Sequence, residues 1–170
     1  YEGSDNRSVP VRQIPLSRSW SSLVKGASFN FADNVSDDQD MGSYMILCVN
    51  DATLIAGLQP LMDWKNRKGH SVTLQTFTAG ASNTTIKNLI QTAYNTWPVP
   101  PEYVLLVGDV DGAYALSGWS NSGYMIDHPY AQLEGGDILA DVAVGRLPTS
   151  SVTQTQTLVN KVLLYEKAPY

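Results

Sequence analysis

The sequence predicts an α/β fold in which a mostly parallel β-sheet is flanked by helices on both faces. Three observations predict it. Short, continuous apolar runs such as Tyr44–Val49 and Tyr103–Val107 are typical of strands buried on both faces. These runs alternate with segments whose apolar residues recur at helical spacing. The length of 170 residues is that of about one domain, enough to bury a core without a metal or disulfide.

The first strand–helix pair occupies Tyr44 to Gly69. The apolar run Tyr44–Val49 predicts a buried strand, and Asn50 or Asp51 can cap the helix that follows. Pro60 lies inside that helix and predicts a kink or a restart. Gly69 ends it, after a basic last turn. The helical stripe consists of Leu54, Ile55, Leu58, Leu61 and Met62, and Trp64 beside it is expected to be largely buried.

The second pair follows directly. Alternation over Ser71–Phe77 predicts a strand, and Asn83 is expected to cap the next helix. The apolar face of this helix is formed by Ile86, Leu89, Ile90 and Ala93, and three prolines end it. Tyr103–Val107 is the most apolar strand and stops at Gly108–Asp109. An aspartate at the end of a parallel strand lies where such sheets bind ligands.

The rest of the chain has a less regular pattern of apolar residues. Val110 to Met125 is expected to be a long loop. Tyr130–Leu133 and Val142–Val144 are predicted as a hairpin-like pair of strands around a Gly135–Gly136 turn. A last helix is expected to begin at Thr149–Ser151, with its inward face formed by Thr155, Leu158, Val159, Val162 and Leu163.

The first part of the chain, residues 1–42, has no helical or strand period and is interpreted as an irregular lead-in arm to a domain at 43–170. It contains no basic start, apolar segment or small-residue cleavage site, so no signal peptide is recognised. We therefore expect the chain to be a mature or cut product of a longer polypeptide.

Composition excludes several classes of function. With 11 basic and 16 acidic residues the net charge is −5, and a nucleic-acid binder would show a basic excess. No apolar run approaches the roughly 18 residues that a membrane span needs. Charged residues make up only 16% of the chain, below the usual quarter, which favours an extracellular or periplasmic protein.

Nucleophile and phosphate sites are weakly supported. Cys48, the single cysteine, lies mid-strand and is expected to be buried. His70 is expected on the surface after the helix-ending glycine. Asp127–His128 invites a catalytic triad, but no serine or cysteine stands in a suitable turn, so a loop pair bonded to backbone is favoured. Glycine-rich phosphate motifs are absent from the sequence.

The segment Glu134–Asp141 is an acidic turn with three carboxylates and two glycines. Calcium takes six to eight oxygens from carboxylates and backbone carbonyls on irregular loops, and Asp109 could add one from a neighbouring strand end. From spacing alone, a calcium site and a solvated acidic turn both stay open.

Five segments together resemble one family. They are Asp63–Gly69, Tyr103–Asp109, Asp127–Asp137, Asp141–Leu147 and Leu163–Lys167. In this order they are similar to the gingipain-type cysteine peptidases (peptidase family C25), over roughly Tyr44 to Lys167. The resemblance implies a secreted endopeptidase with a caspase-like α/β fold, a three-layer sandwich like that of flavodoxin. Two such subdomains stand side by side in the family, and this chain matches the first.

The resemblance also implies which sites belong to this chain. The family's catalytic histidine and cysteine lie in the second subdomain, beyond Tyr170, so no catalytic residue can be carried over. A calcium site can be carried over, onto Asp109, Glu134 (through its carbonyl), Asp137, Leu139 (through its carbonyl) and Asp141. The implied partners are the second subdomain and, through the whole enzyme, protein or peptide substrates.

Two readings of the function therefore stand. The first is the N-terminal half of a secreted cysteine endopeptidase, inactive by itself. The second is a non-catalytic binding or export-associated module that kept the peptidase-like half. A flavodoxin-like ligand domain would need an anionic cofactor near Gly108, and no residue suggests one.

Overall fold

The computed structural model describes residues 42–168, so the predicted lead-in arm lies outside the described residues apart from Gly42. The main elements are listed here in chain order: β1 Ser43–Val49, α1 Ala52–Arg67, β2 Ser71–Phe77, α2 Asn83–Thr96, β3 Pro101–Val107, β4 Trp119–Asn121, β5 Tyr124–Ile126, a 3-10 turn His128–Tyr130, β6 Ala143–Leu147 and α3 Val152–Lys167.

The main sheet has four parallel strands in the order β2-β1-β3-β6. Ile46 of β1 lies between Leu74 of β2 and Leu105 of β3, and Val144 of β6 pairs with Val104. The chain moves from β1 to one side and then back across it to the other. Right-handed connections therefore place α1 and α2 on opposite faces. The fold is thus the α/β sandwich that the sequence predicts.

The core forms around β1, where Met45, Ile46, Leu47 and Cys48 have no exposed surface. The helices contribute the faces expected from their spacing, namely Leu54, Leu58 and Leu61 from α1, Ile86, Ile90 and Ala93 from α2, and Thr155, Val159 and Leu163 from α3. α1 and α3 pack on each other. A Cβ built on Gly57 of α1 would lie 3.7 Å from Thr155 Cγ2, which shows how closely the two helices approach.

The helix starts follow capping chemistry, with one correction. Asp51 Oδ1 accepts from the backbone N–H groups of Thr53 and Leu54 at 2.9 and 2.8 Å, as expected for the start of α1. Asn83 was the wrong cap for α2: Ser82 is in extended conformation and its Oγ accepts from Thr85 N at 3.1 Å. Ser and Asn are comparable caps, so composition alone could not choose between neighbours.

Pro60 does not restart α1, which runs without interruption from Ala52 to Arg67. Proline lacks an N–H, so the carbonyl of Ala56 loses its helical donor. Both Pro60 and Ala56 are exposed, and water can bind that carbonyl instead.

The predicted hairpin around Gly135–Gly136 is wrong. Residues 128–130 form a 3-10 turn, and β6 pairs in parallel with β3. The hairpin is instead β4–β5, inside the segment expected to be a loop. Two local features explain the difference: Pro129 suits the first turn of a helix, and Ser122 and Gly123 take positive φ values of 50° and 86° between the two short strands.

Glu166, near the end of α3, ties that helix to the end of α1. Its carboxylate accepts from Trp64 Nε1 at 2.9 Å, Lys65 Nζ at 2.7 Å and Lys68 Nζ at 3.0 Å. Trp64 packs against the core with only part of its surface exposed, as expected, and its N–H edge faces this polar cluster. Burial of the Glu166 carboxyl opposes ionisation, but the donors outweigh it and lower its pKa to about 2.

Glu166→Gln should lower the thermal midpoint near neutral pH by a few degrees. A loss of about 1 kcal/mol moves the midpoint by about 2–4 °C in a chain of this size. The folded-state pKa lies below the ordinary value of 4.5, so this stabilisation is complete above that pH. It should shrink as the pH falls from about 4.5 towards 2.

The measurement is thermal unfolding of both proteins across this acid range. Glu134→Gln, which removes an exposed carboxylate, is the matched control and should follow the wild type. An unchanged gap between Glu166→Gln and wild type down to pH 2 would contradict the assignment.

Candidate functional site

The candidate site lies at the carboxyl ends of the parallel strands, where Gly108 directly follows β3. The Gly108 N–H donates to Leu147 O at 3.0 Å, and Asp109 N donates to Thr149 O at 3.1 Å. Gly108 has φ +140°, and a Cβ built on it would lie 2.1 Å from the backbone oxygen of Tyr114. Only glycine fits this close approach, so the backbone before Asp109 is fixed.

Asp109 itself is half-buried, and its Oδ1 accepts from Val110 N at 2.8 Å. Its backbone carbonyl accepts from Leu116 N at 2.7 Å, which folds the following loop back over the strand end. The carboxylate is thus placed at the sheet edge by main-chain hydrogen bonds on both sides.

The acidic turn holds its carboxylates by local hydrogen bonds. Asp141 Oδ2 accepts from Leu133 N at 2.6 Å and Glu134 N at 2.8 Å. Asp137 Oδ1 accepts from Leu139 N at 2.9 Å. The side chain of Glu134 points elsewhere, accepting from Tyr94 OH at 3.0 Å. Residues 134–140 are all exposed.

The predicted calcium ligands are therefore only partly brought together. Asp137 and Asp141 share one turn, whereas Asp109 belongs to the end of β3. Over residues 42–168, no group of three or more His, Cys, Asp or Glu side chains is arranged to hold a metal. The donors are the oxygens that calcium takes, but their arrangement is not a finished site. The calcium site stays a prediction.

Asp127 and His128 do not act on each other. His128 Nε2 lies 2.7 Å from Ile138 O, a backbone carbonyl of the acidic turn. The Asp127 carboxylate faces Arg146, with Oδ1 2.6 Å from Nη2 and Oδ2 2.7 Å from Nε. The sequence-based preference for a loop pair bonded to backbone is confirmed for His128, whereas the Asp127 carboxylate bonds to a side chain instead. Sequence reasoning missed the Arg146–Asp127 pair, although an arginine inside the apolar strand β6 was a usable signal.

Cys48 has no surface exposure, as predicted. Burial, with the nearby Asp51 charge, raises the pKa of its thiol to about 11. His70 is at the other end of the sheet, since it precedes Ser71, the partner of Ser43. It is half-buried rather than on the surface, because its ring packs edge-on against Tyr44 and Tyr103 at 5.7 and 5.5 Å. Cys48 and His70 thus form no catalytic pair.

Comparison with known proteins decides the family. The sequence profile of peptidase family C25 matches residues 37–170. The chain belongs to peptidase family C25. Lys-gingipain of Porphyromonas gingivalis is 29% identical to this C25 chain over 130 residues, which cover 72% of this chain and 7% of that protein.

Solved structures agree on the fold. A protease structure superimposes with a TM-score of 0.63 at 27% identity, covering 77% of this C25 chain and 30% of that one. The Arg-specific cysteine proteinase gingipain R (RgpB) gives 0.65 at 20%, over 76% and 29%. The complex of the pro- and mature domains of Porphyromonas gingivalis RgpB gives 0.64 at 23%, over 72% and 29%.

The C25 chain spans less than a third of these solved chains and 7% of the curated relative. The match confirms the family that the five sequence segments indicated and the caspase-like α/β fold. Within the part of the chain that the structure describes, no helix is long and apolar enough to cross a membrane.

The burial of Cys48 predicts slow alkylation. Iodoacetamide should label the native chain at least about a hundredfold more slowly than the urea-unfolded chain at mildly alkaline pH, because the buried thiol stays protonated. Mass spectrometry of timed samples measures this. Cys48→Ala supplies the background, and rapid native labelling would show an exposed, reactive thiol.

Proposed function

We propose that this chain is the first subdomain of a secreted gingipain-like cysteine endopeptidase. The family match over residues 37–170, together with the parallel sheet β2-β1-β3-β6, carries the proposal. The related proteins named as Lys-gingipain and as an Arg-specific cysteine proteinase support a peptidase of the cysteine type. The low charged fraction of 16% supports secretion.

In this proposal the chain does no bond chemistry. A cysteine peptidase needs a thiolate with a histidine base within hydrogen-bond reach. Cys48 is buried with a raised pKa, and His128 bonds to a backbone carbonyl. The catalytic histidine and cysteine would then belong to a second subdomain, as in the family. This chain would supply a rigid scaffold and, with its strand ends and loops, one flank of the substrate cleft.

A non-catalytic binding or export-associated module is the alternative. Both functions account for the observation that the described cysteine and histidines form no nucleophile–base pair. The two functions are distinguished by whether the protein encoded by the whole reading frame cleaves peptides.

The chain of residues 1–170 should not hydrolyse peptides, whereas the protein from the whole reading frame should. The measurement is cleavage of a broad peptide library by both proteins, with and without iodoacetamide. We expect thiol-sensitive cleavage by the longer protein alone. An inert longer protein would favour the binding module. The proposal would also be contradicted if the chain of residues 1–170 cleaved peptides and the Cys48→Ala variant did not.

We also propose that the acidic turn binds calcium with Asp109, Asp137 and Asp141 as carboxylate ligands and the carbonyls of Glu134 and Leu139 as further ligands. Oxygen-only donors and an exposed, glycine-containing turn support it. Binding requires the turn to close towards Asp109. Without a cation, such closure would be opposed by repulsion between the carboxylates.

Millimolar calcium should raise the thermal midpoint above that in excess chelator. Binding to the folded state alone stabilises by about 2.7 kcal/mol at a hundredfold excess over Kd. Magnesium should stabilise less, because its strict octahedron suits a flexible carbonyl-rich turn poorly.

Asp137→Asn should remove most of the calcium effect, and Asp63→Asn, an exposed acid on α1, is the matched control. Equal midpoints of the wild type in chelator and in calcium would contradict the site. The peptidase assignment does not depend on this result.

A further inference from the structure

The guanidinium of Arg146, near the end of β6, donates hydrogen bonds to three separate segments of the chain. Its side chain is only 13% exposed. Nε and Nη2 form the bidentate ion pair with the Asp127 carboxylate described above. Nη1 donates to Gly108 O at 2.8 Å and to Leu116 O at 2.9 Å. One side chain thus connects the end of β3, the loop that folds over it, and the residue that follows the β4–β5 hairpin.

The hairpin is short, and the described contacts that hold it lie at its base, where Asn83 Nδ2 also donates to Gly118 O at 3.1 Å. β4 and β5 pair through three residues each, and an isolated two-stranded hairpin is at best marginally stable in water. Tyr124 and Met125 are 76% and 47% exposed, so they contribute little burial. The orientation of this hairpin therefore depends on contacts at its base.

Several of the contacts at the base of the hairpin lie beside the Arg146–Asp127 pair. Tyr130 is fully buried beneath the hairpin, donates its hydroxyl to Ser117 O, and packs edge-on against Trp119 at 4.6 Å. A Cβ on Gly118 would lie 3.0 Å from Ile126 O and 3.3 Å from Asp127 Oδ1. The segment leading into the hairpin thus passes close to the carboxylate that Arg146 holds.

The structure assigns Arg146 the role of a positioning residue, a latch that fixes the β4–β5 hairpin relative to the Gly108–Asp109 strand end. The inference rests on the proposed function only in taking this end of the sheet as a flank of the cleft. There, a loop set by the latch would present Tyr124 and Met125 at a fixed position. The latch itself is a property of the described chain.

Lysine could not replace this arginine. A guanidinium offers five N–H donors in a planar fork, which here serve one carboxylate and two carbonyls at once. An ammonium is a point charge that can satisfy the charge of Asp127 but not this fork geometry. Arg146→Lys therefore separates charge from positioning.

Amide hydrogen exchange tests the latch on the chain of residues 1–170. The probes are the N–H groups of Leu116 and of β4 and β5, with Asn50 N–H, bonded to Phe77 O, as the internal reference. In Arg146→Lys and Arg146→Ala we expect exchange at the probes to rise at least about tenfold more than at Asn50. Lys68→Met, which weakens the ion cluster at the opposite end of the sheet, is the matched control and should not open the probes selectively.

Chemical rescue separates positioning from general stability. Millimolar guanidinium chloride should restore probe protection in Arg146→Ala, whereas equal sodium chloride should not, because only guanidinium reproduces the fork. If Arg146→Ala does not fold, Asp127→Asn replaces it, with the same selective opening expected and without rescue.

Uniform exchange changes across probes and reference would overturn the latch and leave Arg146 an ordinary stabilising ion pair. Full protection in Arg146→Lys would also overturn it. Neither readout involves peptide cleavage, so a failure of the peptidase proposal leaves this result intact.

Discussion

β1 is the strand on which the other described elements depend. Both of its edges are paired, by β2 and β3, and four consecutive side chains have no exposed surface. Its backbone groups are satisfied by neighbouring strands, so burial on both faces carries no unpaired polar cost. α1, α3 and α2 then cover the two faces with their apolar stripes. Cys48 belongs to this arrangement, and its inert, protonated thiol follows from its place in the core.

Two polar clusters at opposite ends of the sheet have different structural roles. At the amino end, Glu166 gathers Trp64, Lys65 and Lys68 and joins α3 to α1. These groups come from helices whose positions the core already sets. At the carboxyl end, Arg146 gathers three segments that lie outside the helices and strands, at Gly108, Leu116 and Asp127. The same kind of interaction therefore stabilises packing at one end and determines loop geometry at the other.

The sequence predicted the elements whose apolar pattern is strong. β1, β2, β3 and the three helices have buried faces that periodicity reveals directly, and β6 was expected as a strand. The predicted pairing of β6 with Tyr130–Leu133 was wrong, because strand pairing depends on long-range register that the local sequence pattern does not encode. The β4–β5 hairpin was missed since its residues are mostly exposed and its turn uses Ser122–Gly123, a weaker signal than Asn-Gly.

The candidate site shows where sequence reasoning stops. The place of Asp109 follows from a strand that stops at Gly108–Asp109, and the structure shows that only glycine fits at position 108. The carboxylates of the acidic turn could be counted from sequence, but their orientation is set by nearby N–H groups that compete for the same oxygens. A carboxylate that accepts hydrogen bonds from its own turn keeps lone pairs free for a cation. Its orientation, however, is determined by those local N–H donors. Proximity in sequence therefore identifies the oxygens of the proposed calcium site. Their convergence with Asp109, as proposed, would depend on the free energy of closing an exposed turn against repulsion between the carboxylates.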